Sequence, residues 1–384
     1  MTMEAALWDL VENARWFGGR GREPRLLGVR PLEPVADVRS LLVDVGYADG
    51  QQETYHVPVV ESERPALVEA VDDGLKLWEA FTAGSPDLVL LGTGPAPTAA
   101  RRFAGEQSNT NVFFDNGTLL KVLRRVEPGG DIEAEVLGAL KGSGAAPELY
   151  GTWKHGDVGL GILVEALADP HDGYDMAVEH ASADRSFAEH AHALGVGLAT
   201  VHQRLRESLG TGTTDPTRLA ATFTSRYAAA AASVEQLRPF GDRTERTFGA
   251  LAGVTVPTQR IHGDCHLGQT LFSAGRWRYV DFEGEPMKTV PERRELDSPL
   301  RDVAGMLRSF EYAAEAGAAD ADWLAGARRA FTAGYGLEEP TRDPLLTAYE
   351  LDKAIYEAVY EARFRPHLLD VPLSGIDALL GSAG

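Results

Sequence analysis

From about residue 171 onward the chain is written in helical periodicity, and a single β-rich stretch, residues 259–282, interrupts it. Apolar residues recur at helical spacing over 186–205, 217–237, 300–316 and 343–363. The expected result is a helical lobe that carries one hairpin. The first 170 residues read differently. They open on a short amphipathic helix within 1–20, where Leu7, Trp8, Leu10 and Val11 share a face. Strands follow at 39–45 and 54–60, helical spacing returns over 65–83, and the stretch 92–100 (GTGPAPTAA) reads as a linker. After it, residues 111–114, the turn Asn116-Gly117 and residues 119–123 read as a hairpin. A helix over 131–141 with an acidic first turn and an apolar strand over 159–167 complete this half. The expected domains are therefore 1–95, 96–170 and 171–384.

The interrupting hairpin holds the densest polar pattern in the chain. His262-Gly263-Asp264 is followed, after four residues, by Gln269, and then by Asp281 at the end of the apolar strand 278–280. Phosphoryl transfer needs little covalent chemistry from the protein: it needs an acceptor hydroxyl held in place and phosphate charge neutralised. A carboxylate that takes the hydroxyl proton, then an amide and a second carboxylate as hard oxygen ligands for magnesium, meet that need at this spacing. Asp264 is the expected base, with Gln269 and Asp281 as magnesium ligands. The alternation His262/Asp264/His266 also reads as a zinc set, but that leaves Gly268 and Gln269 without a role. A purely structural turn is the third reading of His-Gly-Asp.

Upstream, Lys121 closes the strand 119–122, where a phosphate-gripping lysine belongs, and Glu133 or Glu135 in the next helix is its expected partner. Residues 106–111 (EQSNTN) lack a glycine fingerprint, yet Ser108, Asn109 and Thr110 offer hydroxyl, amide and backbone N–H groups to phosphates. The backbone near Glu165 to Leu167 is the expected adenine contact.

Thirty-seven basic against 57 acidic residues give a net charge of −20, which repels phosphate backbones and anionic lipid. Nucleic acid and membrane are therefore not expected partners. Cys265 is the only cysteine, so neither an internal disulfide nor a Cys-rich zinc module can form. The acidic N-terminus lacks the basic start of a signal peptide, and a cytoplasmic protein is expected.

The segments HGDCHLGQTL (262–271), VDFEGEP (280–286), LRDVAGMLRSFEYAA (300–314), EQSNTNV (106–112) and RWFGGRGR (15–22) together resemble maltokinases and the related glucosamine kinases. These belong to the aminoglycoside-phosphotransferase-like kinases, and the resemblance continues through DKAIYEAVYEAR (352–363) and PLSGI (372–376). It implies an α+β, bilobal, eukaryotic-protein-kinase-like fold, with an N-terminal cap subdomain on a β-rich N-lobe and a mainly helical C-lobe. It also implies ATP and Mg2+, a Lys121–Glu133 pair and a phosphate segment at 108–110. The acceptor-side candidates are Asp264, His262, Glu283, Asp302, Lys353, Tyr356 and Glu357. The expected partner is a small-molecule sugar, and the expected state a monomer or weak homodimer.

Three functions compete. A glucosamine kinase forming the 6-phosphate is favoured by the short stretch before the phosphate segment and by acids suited to an ammonium: Glu283, Glu285, Glu357 and Asp302. A maltokinase forming maltose 1-phosphate is the alternative. A catalytically dead kinase-like binding module is the third, and the presence of every acid and amide needed for transfer speaks against it.

Overall fold

The computed structural model describes residues 3–60, 68–85, 87–88, 95–104, 108–285, 288–337 and 343–382. The chain divides into two compact units, Met1–Gly138 with Pro147–Ala168, and Ala139–Ala146 with Asp169–Gly384.

The first unit opens with helix α1 (Met3–Asn13), then strands β1 (Arg25–Pro31), β2 (Val38–Gly46), β3 (Gln52–Val60) and β4 (Val68–Glu69). Helix α2 (Gly74–Gly84) follows, then β5 (Ala100–Arg102), β6 (Thr110–Phe114), β7 (Thr118–Val122), β8 (Arg125–Val126), α3 (Ile132–Ala139), β9 (Leu149–His155) and β10 (Val158–Glu165). One sheet runs β1-β2-β3-β4 with β8 added on β3; the other runs β5-β6-β7-β10-β9. Strand β2 is buried almost throughout because both of its faces are covered. Leu41, Val43 and Val45 pack with Leu7, Val11, Trp16 and Phe17. Val38 and Leu42 join a second core with α2 (Leu77, Trp78, Phe81) and with Val112, Leu120 and Leu163 of the other sheet. The two sheets thus share a core, and the expected boundary at residue 95 falls inside one unit.

Helix α2 is shorter than the expected 65–83. Of that span 65–67 lie outside the described residues, β4 and a 3-10 turn (Ala70–Asp72) take the next part, and Asp73 accepts from Lys76 N (3.4 Å) to start the helix. Of the expected linker, residues 92–94 lie outside the described residues, and Ala100 already belongs to β5.

The second unit contains β11 (His171–Asp172), α4 (Gly173–Ser182), α5 (Ala188–Leu209), β12 (Thr211–Thr214), α6 (Pro216–Ser233), α7 (Gly241–Gly249), β13 (Val256–Gln259), β14 (Thr270–Ser273) and β15 (Arg276–Tyr279). It ends with α8 (Val290–Arg293), α9 (Leu300–Ala316), α10 (Ala321–Tyr335), α11 (Pro344–Phe364) and α12 (Asp370–Ser382). Asp-Pro pairs start α6 and α11: the aspartate accepts backbone N–H groups and the proline occupies the first helical turn. The hairpin β14–β15 pairs Thr270 with Tyr279 and is extended by β11. Tyr279, fully buried, donates its hydroxyl to Leu194 O (2.8 Å), which fastens the hairpin to α5.

Candidate active site

In the second unit the segment between β13 and β14 is shaped by one buried carboxylate. Asp302, in the first turn of α9 and 1% exposed, accepts from His262 N (2.7 Å), Gly263 N (2.9 Å) and His202 Nε2 (2.9 Å). Tyr335 lies 2.8 Å from the other ring nitrogen of His202. Burial opposes the charge of Asp302, but the His202 hydrogen bond and the loop amides outweigh it and hold the carboxyl below its ordinary range. Gly263 takes φ 87, a conformation open to glycine, and Gly305 lets α9 approach so closely that an added Cβ would lie 2.3 Å from Cys265 O.

This scaffold presents Asp264 at the wall of a cavity of ≈ 460 Å³. Asp264 makes no hydrogen bond or ion pair among the described residues. Around it stand Glu285, Asp302 and Asp352 with Arg226, Lys288, Arg301 and Lys353. Most are paired: Arg226–Asp352 at 2.7 Å, Arg301–Glu285 at 2.7 Å and Lys288–Glu285 at 3.6 Å. Burial raises the Asp352 carboxyl against the pull of Arg226, and burial together with Arg301 lowers Lys288. Lys353 has no ion pair among the described residues and sits 5.4 Å from the ring centre of Tyr356, itself half exposed to the cavity.

Following β15, Asp281 takes φ 63, a left-handed conformation that costs a non-glycine residue about 1–3 kcal/mol. There its Oδ2 accepts from Gln269 Nε2 at 3.1 Å. A carboxylate and a carboxamide so juxtaposed are hard oxygen donors of the kind magnesium takes, so the residues present fit that ion.

Several expected roles change. His262 is buried, its Nε2 bonded to Val280 O (2.9 Å) and its ring on Phe282, so it braces the loop and does not line the cavity. His266 Nδ1 accepts from Gly268 N (3.1 Å) and His262 Nε2 is held by Val280 O, so the two histidines are engaged locally, and the His/Asp/His alternation is not among the metal-ligating groups of the described residues. Asp302 has both oxygens committed to the loop and to His202 and acts as its anchor. Glu357 is partly buried and bound to Arg308 Nε (2.8 Å), and neither it nor Glu283 lines the cavity. Glu285 lines it but is neutralised by Arg301. Of the acids suited to an ammonium, none is unpartnered in the cavity; Asp264 is. Arg226, Lys288, Arg301 and Asp352 were missed. Asp352 adjoins Lys353 in a motif already singled out, whereas Arg226 looks in sequence like any solvated residue of α6.

In the first unit, Lys121 on β7 pairs with Glu133 of α3 at 2.6 Å. The segment leading into β6 is less free than expected. Asn109 Oδ1 accepts from Arg124 N (3.1 Å) and Thr110 Oγ1 from Arg124 Nε (2.8 Å). Glu165 N is used on Glu148 O (2.9 Å) and Ala166 N on Gly117 O (2.9 Å), while Leu167 N–H makes no hydrogen bond among the described residues.

Residues 99–345 match the model of the phosphotransferase enzyme family. The chain belongs to that family. Within the phosphotransferase, residues 11–73 also match the maltokinase N-terminal cap domain. The chain is similar to a glucosamine kinase of Mycolicibacterium smegmatis, 27% identical over 352 residues, covering 82% of this chain and 88% of that protein. A glucosamine kinase of Streptacidiphilus jiangxiensis is likewise 27% identical, over 81% of this chain and 78% of its own length. The solved structure of a glucosamine kinase in complex with glucosamine, ADP and inorganic phosphate superposes with a TM-score of 0.70 at 22% identity, covering 97% of this phosphotransferase and 98% of that chain. The kinase-like fold is thereby shared. No described helix of the phosphotransferase is long and apolar enough to cross a membrane.

Proposed function

We propose that this phosphotransferase transfers the γ-phosphoryl group of ATP to a hydroxyl of a small amino sugar, glucosamine before others, forming glucosamine 6-phosphate. The observation that carries the reading is Asp264, an unpartnered carboxylate at the wall of a sugar-sized cavity on a loop fixed by Asp302. It accepts the proton of the attacking hydroxyl, and the anchored loop keeps it in place as that proton moves. Magnesium, when bound, supplies charge neutralisation on the transferring phosphate, and Gln269 and Asp281 are the residues to hold it. Lys121, oriented by Glu133, serves the nucleotide phosphates. Lys353 and Tyr356 offer a cation and a ring edge to sugar hydroxyls.

The amino-sugar choice is supported by the two glucosamine kinases that resemble this chain over four-fifths of its length. The cavity does not act as an acidic funnel, since its four carboxylates are matched by four cations. The ammonium therefore has to be recognised by a local contact, and a charge-assisted hydrogen bond contributes about 1.5–3 kcal/mol. The expected preference for glucosamine over glucose is on the order of ten- to a hundredfold in kcat/KM. The test is kcat/KM for glucosamine, glucose, N-acetylglucosamine and maltose, with NMR locating the phosphorylated carbon. Maltose leading by more than about tenfold would overturn the acceptor and leave the phosphoryl transfer standing.

A further inference from the structure

The chain crosses from one sheet of the first unit to the other in two residues. Strand β7 ends at Val122, and β8, starting at Arg125, pairs with β3 of the other sheet. Arg124, at the crossing, is fully buried, and all but one of its polar groups is engaged. Its N–H donates to Asn109 Oδ1 (3.1 Å) and its carbonyl accepts from His56 N (2.7 Å). Its Nε donates to Thr110 Oγ1 (2.8 Å), while Nη1 lies 2.6 Å from Glu69 Oε1 and donates to His56 O (3.3 Å). The guanidinium also lies over the ring of Trp16, 4.6 Å from its centre. Trp16, His56 and Glu69 fall in the stretch matching the cap domain, whereas Asn109, Thr110 and Arg124 fall in the stretch matching the phosphotransferase family.

The geometry points to Arg124 as a positioning residue through which the cap holds the 108–110 segment in register for the nucleotide's phosphates. The inference rests on the nucleotide role proposed above for that segment and for Lys121. Thr110 pairs with Val122 and Asn111 with Lys121, so the segment and the lysine leave the same end of one hairpin. With Thr110 and Asn109 both held by Arg124, the placement of Ser108 and of the segment's backbone follows Arg124. The cap residues fix Arg124 in turn: Glu69 by charge, His56 by its backbone and Trp16 by its ring face. The cap thereby acts on nucleotide affinity. The acceptor cavity is lined entirely by residues of the second unit and takes no part.

The experiment compares Arg124→Met, Arg124→Lys, Trp16→Leu and Lys121→Met in the full chain, reading KM for MgATP, KM for the sugar and Tm. Arg124→Met is expected to raise KM for MgATP by roughly tenfold or more, with the sugar KM within about twofold. Arg124→Lys keeps a charge for Glu69 but lacks the fork that reaches Thr110, so it restores Tm more than it restores nucleotide affinity. Trp16→Leu leaves every Arg124 hydrogen bond in place and is expected to raise KM for MgATP about threefold. If Arg124→Met does not fold, these last two variants carry the test. A fall in Tm with both KM values unmoved in them, while Lys121→Met weakens nucleotide binding, overturns the Arg124 inference and leaves the nucleotide site standing. Unchanged nucleotide affinity in Lys121→Met as well overturns both.

Discussion

Two short polar segments, one in each unit, are held by a single fully buried charge, and the charges are of opposite sign. In the first unit Arg124 holds 109–110 through side-chain acceptors: its backbone N–H donates to Asn109 Oδ1 and its guanidinium, through Nε, to Thr110 Oγ1. In the second, the carboxylate of Asp302 grips 262–263 through backbone donors. Each choice leaves the segment with the complement of its anchor. An anchor that takes up acceptors of 109–110 suits the role toward anionic phosphate proposed for that segment, and an anchor that takes up the donors of 262–263 suits the role of base proposed for Asp264. Burial opposes the charge of either anchor, and each has a partner that favours the charge: Glu69 for Arg124, whose pKa burial lowers to about 10, and His202 for Asp302.

The comparison breaks most visibly at Asp302. Asp302→Ala strips the partner from two buried amides and from His202, and is expected to cost about 3–5 kcal/mol in chemical denaturation. It should also lower kcat on the order of a hundredfold, through displacement of Asp264. A larger change in KM for MgATP than in kcat would show that the two anchors do not divide the work as described.

Acid separates the two units next. His56 is buried beside Arg124 and its pKa is lowered to about 3, by burial first and then by the Arg124 charge. Below its ordinary value of 6.5 the unfolded chain takes up a proton that the folded chain refuses. Stability is therefore complete above about pH 6.5 and falls by about 1.4 kcal/mol per pH unit down toward pH 3. The Asp302 carboxyl is lowered instead, so its contribution is present above its ordinary value of 3.8 and is lost only below it. Hydrogen exchange between pH 6.5 and 4.5 should show protection falling around β2 and β3 while α9 keeps its protection, and His56→Gln should flatten that slope.

A smaller effect attends Asp281→Asn, which removes a charged oxygen from the proposed magnesium donor pair. Calorimetry should record nucleotide affinity in magnesium falling roughly tenfold with sugar affinity unchanged. Smallest of all, Cys265→Ser should hold kcat within about twofold: burial pushes the thiol well above its ordinary pKa, so no thiolate is on hand to be lost.

What the sequence made legible follows from how local each signal is. Asp264, Gln269 and Asp281 lie in or beside one hairpin at fixed offsets, and Lys121 and Glu133 are 12 residues apart, so spacing alone brings them forward. The expected helices at 300–316 and 343–363 coincide with α9 and α11 because their apolar stripes are unbroken and α11 begins at an Asp-Pro pair. Strands β1 and β9 were missed. The exposed, irregular face of β1 carries no alternation, and β9 mixes Gly151 and Lys154 into an edge strand. The anchors were not legible in their roles. Asp302 reads as a pocket acid and nothing in the sequence singles out Arg124, because His202, which pairs with Asp302, is 100 residues away and His56, which Arg124 meets, is 68 away. His262 misled for the same reason, since only the fold turns its ring onto Val280.

Asp264→Asn, followed in a single turnover with ATP and glucosamine, tests the central claim most directly. Phosphoryl transfer should fall on the order of 10²–10⁴-fold while the Kd for MgATP stays within about twofold, since only the acceptor's proton needs this carboxylate. A variant that keeps more than about a tenth of the wild-type rate would contradict it.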